Sequence, residues 1–145
     1  MLEKIIKGIK YLLYEENLIA EVIQKKGYEG DFIIPEIVVF KKVAYRVTSI
    51  SWWAFEGCDS LTSIVIPDSV TSIEEYAFEG CTSLTTVTLP AGVKKIENDV
   101  FYECSALSTI YVPAKKADYY KKRLPKHLHD KIVELAPEKR TKVRK

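Results

Sequence analysis

Long uninterrupted apolar runs are missing from the sequence: none approaches the roughly 18 to 20 residues that span a bilayer. We therefore expect no transmembrane span. The segment 1–14 alternates apolar side chains with three lysines and a glutamate. It has neither the continuous apolar segment nor the small-residue cleavage site of a secretory signal. The chain is expected either to be cytoplasmic or to have lost a leader.

The sequence also lacks a large excess of positive or negative charge. The 22 Lys and Arg residues nearly balance the 20 Asp and Glu residues, which leaves a formal charge of +2. Such a small charge argues against nucleic acid or a membrane as the main partner. Basic residues are nevertheless concentrated in residues 136–145, for which we predict a disordered tail. Charge-driven binding of nucleic acid or an anionic surface through this C-terminal end stays open as an alternative.

Residues that carry catalytic chemistry are few. The only two histidines, His127 and His129, have no third ligand at a defined spacing, so no metal site and no cofactor are predicted. Neither histidine is placed to act as the base for a nucleophilic serine or cysteine, and glycine-rich phosphate loops are missing. The sequence therefore predicts no catalytic residues and no enzyme.

A repeat with a period of 23 organises the chain. The segment 54–58 (AFEGC) recurs at 77–81 and, more loosely, at 100–104. The apolar positions downstream keep the same step: Leu61, Leu84 and Leu107; Ile64, Val87 and Ile110; Pro67, Pro90 and Pro113. A fixed period with matching apolar positions predicts a solenoid.

Each unit combines two kinds of apolar spacing. Ile73, Ala77 and Cys81 are spaced as on one face of a helical turn. Residues 84–89 include the alternation of a short strand, which Pro90 ends because it has no backbone donor. Each unit is thus predicted to form a strand, a turn and a short helical turn, with the strands of stacked units aligned in a parallel sheet.

The three cysteines occupy one repeat position each, as Cys58, Cys81 and Cys104. This placement predicts a column of small, buried, free thiols. A zinc site would need closely spaced ligand pairs, and disulfide pairing would leave one of three cysteines over.

The pattern Leu-x-x-Ile-x-Ile-Pro, followed by Val-x-x-Ile and Ala-Phe-x-Gly-Cys, resembles the BspA-like leucine-rich repeat family of bacterial surface proteins. The resemblance covers residues 48–113 without a gap. It implies a right-handed α/β solenoid with short parallel strands and short helical turns. It also implies a protein-binding or adhesion role, with a host or matrix protein as a possible partner, at the cell surface or after secretion. A structural spacer without a ligand is a further alternative, and self-association stays open.

The flanks complete a single predicted domain over residues 1–135, with an N-terminal cap and long first unit in 1–47, three units in 48–113 and a C-terminal cap in 114–135. The first unit is longer than the others if residues 32–35 are equivalent to 64–67. We expect one hairpin of residues 38–40 with 43–47, a second of 11–14 with 18–23, and a capping helix over 114–124. The first hairpin has Lys41 and Lys42 where an Asn-Gly type of turn is usual.

Two groups of residues are candidates for binding. Trp52, Trp53 and Tyr76 lie in a repeat slot that is otherwise polar or mixed, and exposed Trp and Tyr often anchor protein partners. The alternative is that a tryptophan covers apolar surface at the Lys41-Lys42 hairpin. The second group lies between the apolar strand positions and is expected on the concave face, in two columns: Ser63, Thr86 and Thr109; Val65, Thr88 and Tyr111. The alternative for these columns is a solvated sheet face chosen for β propensity.

Overall fold

The computed structural model describes residues 1–97 and 99–137, and strands dominate them. One α-helix, α1, spans Ala117–Lys121, and a 3-10 helix spans Lys126–Lys131. None of the helices in these two ranges is long and apolar enough to cross a membrane. The strands are β1 (Leu2–Ile6), β2 (Ile9–Tyr14), β3 (Ile19–Val22), β4 (Glu29–Ile33), β5 (Ile37–Phe40), β6 (Val43–Ile50), β7 (Ser60–Val65), β8 (Ser72–Ile73), β9 (Thr86–Thr88), β10 (Lys95–Ile96), β11 (Thr109–Val112) and β12 (Ile132–Glu134).

The first sheet has the strand order β1-β2-β3-β6-β8-β10, with β5 paired to β6. Strands β1, β2 and β3 form an antiparallel meander, and β3 then pairs in parallel with β6. The hairpin expected for residues 11–14 with 18–23 is confirmed by the pairing of β2 with β3. Strand β1 was not predicted. It is joined to β2 by a tight turn, in which Lys7 and Gly8 both have positive φ.

The second sheet is parallel throughout, in the order β12-β11-β9-β7-β4. Ile64 pairs with Val87, and Val87 with Ile110, so each of these steps along the sheet is one repeat of the sequence. Phe32 of β4 pairs with Ile64, the equivalence from which the longer first unit is expected. A parallel sheet of this kind buries alternate residues against the core, and the buried column here is the one expected from the repeat.

The short helical turns predicted in each unit are wrong: the segments around 51–57 and 74–80 are hydrogen-bonded turns without helix. Within a turn the bonds are short-range, as from Glu56 N–H to the Trp53 carbonyl at 3.0 Å. Other amides donate to the next unit, as from Phe55 N–H to the Ala77 carbonyl at 2.7 Å. These amides are therefore not available for the i to i−4 bonds that define an α-helix.

A column of stacked phenylalanines fills the core beneath these turns. The ring centroids of Phe55 and Phe78 are 5.0 Å apart at 13°, and those of Phe78 and Phe101 are 5.6 Å apart at 19°. The cysteine column runs beside it with three free thiols, of which Cys58 and Cys81 are buried as predicted, whereas Cys104 is only half-buried. Cys81 Sγ donates to the Phe55 carbonyl at 3.1 Å and Cys104 Sγ to the Phe78 carbonyl at 2.9 Å, so each thiol ties its unit to the preceding one.

The hairpin predicted for residues 38–40 with 43–47 is confirmed by the antiparallel pairing of β5 with β6. Lys41 and Lys42 form its tight turn with φ of 52° and 67°. Both values lie in the left-handed region that a type I′ turn requires. Two lysines therefore take the conformation that Asn-Gly usually supplies.

The C-terminal segment contains a shorter helix than predicted, since α1 covers Ala117–Lys121 and not residues 114–124. Its buried Tyr120 faces the third unit, and Leu124 and Leu128 are also buried. Further along the predicted C-terminal cap, Ile132–Glu134 form β12, which pairs in parallel with β11. Of the tail predicted for 136–145, residues 138–145 lie outside the described residues.

One repeat position has positive φ in all three units: Gly57 at 67°, Gly80 at 72° and Glu103 at 59°. We expect Gly80→Ala to destabilise the chain by about 1 kcal/mol, because a Cβ in this conformation costs about 1–2 kcal/mol. The added Cβ would meet nothing closer than 3.7 Å, so steric overlap does not contribute. Glu103→Gly should instead leave stability unchanged or raise it by up to about 1 kcal/mol. Urea unfolding of the two variants tests both predictions. A clear loss of stability for Glu103→Gly would contradict the assignment of the cost to the positive-φ backbone.

Candidate functional site

Four aromatic side chains lie together on the turns that connect the first sheet to the second: Trp52, Trp53, Tyr76 and Tyr102. We call them the aromatic cluster. Trp53 and Tyr76 are stacked, with ring centroids 5.6 Å apart at 8°. Trp52 packs against Trp53 at 5.8 Å, and Tyr102 meets Tyr76 edge-on at 6.3 Å. The rings therefore form one continuous surface across three units.

These rings are held outward by an unusual backbone. Trp53 and Tyr76 have φ of 54° and 59°, in the left-handed region that bulky residues rarely adopt. The hydrogen bonds between stacked turns fix this conformation, as from Gly57 N–H to the Glu79 carbonyl at 2.7 Å. Trp52 is 52% exposed, Trp53 36% and Tyr102 50%. The cluster thus combines a rigid base with accessible aromatic faces.

Carboxylates surround the cluster. The Trp52 indole N–H donates to Glu74 Oε1 at 3.2 Å, and the same carboxylate forms an ion pair with Lys95 at 3.4 Å. The Asp99 carboxylate is the main cause that raises the pKa of Tyr76, with smaller contributions from desolvation and from Glu75. The electrostatic potential beside Tyr76 is therefore negative.

The two predicted strand columns lie elsewhere, on the outer face of the second sheet. Ser63, Thr86 and Thr109 are paired across β7, β9 and β11, as are Val65, Thr88 and Tyr111. Ile33 of β4 and Val133 of β12 extend the second column at its two ends.

Asp31 of β4 stands beside the start of the first column. Its Oδ1 accepts hydrogen bonds from Ser63 Oγ at 2.7 Å and Thr62 Oγ1 at 2.8 Å. These bonds lower the pKa of the Asp31 carboxyl. The face is therefore polar and anionic at this end and mostly short and uncharged along the rest.

The structure brings Trp52, Trp53 and Tyr76 together, and it places the tryptophan rings against each other, Glu74 and Tyr76. Sequence reasoning missed Tyr102. Its repeat position is that of Glu56 and Glu79, not that of Tyr76, so comparing equivalent positions in successive units does not select it. The available signal was a third aromatic residue in the same turn segment one unit further on.

The thiols fit a structural role. Burial raises the pKa of the Cys58 thiol, and the neighbouring Cys104 thiol together with burial raises the pKa of Cys81. The hydrogen bond with the Cys81 thiol instead lowers the pKa of Cys104. A neutral thiol is a hydrogen-bond donor and a poor nucleophile, in keeping with the bond from Cys81 to the Phe55 carbonyl. Within residues 1–97 and 99–137 no three His, Cys, Asp or Glu side chains are grouped so that they could hold a metal ion.

Parallel strands one repeat apart, with a stacked phenylalanine in each connecting turn, define a leucine-rich repeat fold. The chain matches the family described as BspA type leucine rich repeat region (6 copies) over residues 23–124. It belongs to this family. No curated protein matches the chain.

Solved structures of bacterial proteins share the fold. A leucine-rich repeat protein from Bacteroides ovatus is 33% identical with a TM-score of 0.67, over 75% of this chain and 31% of its own. A leucine rich cell surface protein from Faecalibacterium prausnitzii is 30% identical with a TM-score of 0.64, over 86% and 35%. A leucine-rich repeat protein from T. pallidum is 26% identical with a TM-score of 0.61, over 77% and 53%. The chain thus spans about a third of the length of the first two proteins.

Proposed function

We propose that the chain is a non-enzymatic protein-recognition module that binds its partner through the aromatic cluster. The stacked pair of Trp53 and Tyr76 carries this proposal. Both rings are partly exposed, and the fold holds them there even though each residue has the left-handed backbone that bulky side chains disfavour. Trp and Tyr are the residues most enriched where binding energy concentrates in protein interfaces. Since the turns are already ordered, little conformational entropy would be lost on association.

The strand columns are the second candidate surface for the same function. Ser63, Thr86 and Thr88 are half-buried and short, and they offer hydroxyl groups on a regular face. Short hydroxyl side chains supply hydrogen bonds but little apolar area, whereas aromatic anchors supply both. We therefore rank the aromatic cluster first.

The architecture proposed with this function is one right-handed solenoid domain over residues 1–135. The antiparallel meander β1-β2-β3 would cover the N-terminal end of the stack, and α1 with β12 the C-terminal end. Capping is required because the last unit of a solenoid otherwise exposes core and strand edges. The burial of Tyr120 against the third unit supports the C-terminal part of this proposal.

The partner that we propose is a host or matrix protein, which the chain would bind at the bacterial cell surface. The support is the family and the F. prausnitzii neighbour, which is described as a leucine rich cell surface protein. The alternative partners are nucleic acid or an anionic surface, bound through the basic C-terminal end.

Affinity capture with four baits tests the proposal, using extracellular-matrix proteins and cell extract as the source and mass spectrometry as the readout. The baits are the full chain, a chain ending at Leu135, a Trp53→Ala/Tyr76→Ala variant and a matched Thr86→Ala/Thr88→Ala control. We expect one set of proteins to be enriched by all baits except the aromatic variant. Circular dichroism of each bait would show that the fold is retained.

Three results would contradict the proposal. Proteins lost only with residues 136–145 would favour the charge-driven alternative, and the loss should then also follow added salt. Proteins lost only with Thr86→Ala/Thr88→Ala would move the site to the strand columns. No enrichment by any bait would favour a structural spacer.

A further inference from the structure

A pocket of about 500 Å³ adjoins the aromatic cluster at its C-terminal end. The third unit contributes Asp99, Phe101, Tyr102 and Glu103 to its wall. The 3-10 helix and the residue before it contribute the other side: Pro125, His127 and Leu128. Its volume falls within the range of about 300–1,000 Å³ that is usual for ligand sites.

The lining combines apolar side chains, two carboxylates and the His127 imidazole. Phe101 and Leu128 are buried apolar side chains, whereas the Tyr102 ring is half exposed. Asp99 and Glu103 supply two carboxylates. Among the described residues, no Lys, Arg or His side chain forms a salt bridge with either of them. The rise in the pKa of Tyr76, caused mainly by Asp99, reflects the same negative potential.

Glu103, which lies in the wall of this pocket, has an energetically unfavourable backbone conformation. The same repeat position is glycine in the two preceding units, Gly57 and Gly80, and all three residues have positive φ. A side chain in that conformation costs stability that glycine would not. The third unit therefore places a carboxylate at a position where the repeat by itself favours glycine.

We propose that this pocket receives an arginine side chain of the protein partner. The guanidinium would lie against the Tyr102 ring and donate to the Asp99 and Glu103 carboxylates, while its methylene stem packs on Phe101 and Leu128. Arginine suits such a site because its planar group stacks on aromatic rings and pairs with carboxylates. The chain itself contains this stacking geometry, since the Arg123 guanidinium carbon lies 3.6 Å from the Tyr119 ring centroid.

The inference rests on the proposed function, because it names the chemistry of the partner that the aromatic cluster binds. It also explains how one end of the cluster could fix the orientation of the partner. Aromatic anchors supply affinity over a broad surface, whereas a charge-assisted contact discriminates between partners.

An NMR titration of the ¹⁵N-labelled full chain tests the pocket without any protein partner. The probe is N-acetylarginine methylamide, and the neutral comparison is N-acetylcitrulline methylamide, which has nearly the same shape. We expect saturable amide shifts confined to residues 101–104 and 126–128, with the citrulline probe about tenfold weaker.

Two variants locate the charge contribution. Asp99→Asn/Glu103→Gln should weaken binding of the arginine probe about tenfold, while Glu16→Gln, which removes an exposed carboxylate from the β2–β3 turn, should leave it unchanged. Amide shifts outside the pocket would report whether the double variant keeps its fold. Equal binding of the two probes, or equal binding by the double variant, would overturn the proposal.

The two proposals fail separately. In the capture experiment, a partner lost by Trp53→Ala/Tyr76→Ala but retained by Asp99→Asn/Glu103→Gln would uphold the proposed function and overturn the arginine pocket. A partner retained by both variants would overturn the proposed function itself.

Discussion

Phe78→Ala is expected to lower the free energy of unfolding by about 3–5 kcal/mol. The Phe78 ring is fully buried and stacked between Phe55 and Phe101 at 5.0 and 5.6 Å. Its removal would leave a cavity in the middle of the column, with backbone hydrogen bonds holding the turns on either side. The stacked units therefore cannot collapse fully to fill the space, which places the loss in the upper part of the range for buried side chains.

Urea unfolding of Phe78→Ala beside Thr86→Ala measures this effect. Thr86 is half-buried on the outer face of β9, outside the core, so its substitution should change stability by no more than about 0.5 kcal/mol. Phe78→Leu should fall between the two, because it retains most of the apolar volume. A loss below about 1 kcal/mol for Phe78→Ala, or an equal loss for Thr86→Ala, would show that the stacked column does not hold the units together.

Tyr120→Ala is the second large effect, also about 3–5 kcal/mol. Tyr120 of α1 is fully buried, and its hydroxyl donates to the Pro90 carbonyl and accepts from Val93 N–H. Tyr119 binds the same segment through its hydroxyl, which donates to the Val93 carbonyl at 2.8 Å. The substitution thus removes both a buried ring and the partner of two buried backbone groups at the C-terminal end of the stack.

Tyr120→Phe separates the two contributions. It keeps the ring but leaves the Pro90 carbonyl and Val93 N–H without their partner, so we expect a loss of about 1–3 kcal/mol. Burial raises the pKa of Tyr120 from 10.0 to about 12. Stability from this group is therefore present below pH 10 and is lost as the pH rises toward 12, and Tyr120→Phe should flatten that decline. Wild-type stability for Tyr120→Ala would mean that α1 does not cover the stack.

The sequence was sufficient for the register of the second sheet. The constant repeat step places Ile64, Val87 and Ile110 at the same height, and the second sheet follows from it. The hairpins β2–β3 and β5–β6 were also predictable from alternating apolar residues, whereas strand β1 was not predicted. The very short strands β8 and β10 were not, because two adjacent residues carry no periodicity.

The turns show where local spacing misleads. Apolar residues four apart, such as Ile73 and Ala77, are spaced as in a helix. However, amides such as that of Phe78, which donates to the Val100 carbonyl, pair with the neighbouring unit. Spacing along the chain does not reveal hydrogen bonds between units, so the predicted helical turns were wrong for a non-local reason.

The candidate site was predictable only in part, because some of its contacts join residues that are not at equivalent repeat positions. Trp53 and Tyr76 share a repeat position, so their contact follows from the period. Tyr102 reaches the cluster from a different position. The pocket also depends on Leu128, which lies beyond the last repeat in the sequence and is brought against the third unit by the 3-10 helix.

The most direct measurement of the central claim is a hydrogen-exchange footprint of the chain bound to its captured partner. If recognition uses the aromatic cluster, binding should slow exchange in the turns at residues 51–57, 74–80 and 101–104, and leave β7, β9 and β11 unchanged. Protection confined to those three strands, with the turns unaffected, would contradict the account and assign binding to the sheet face.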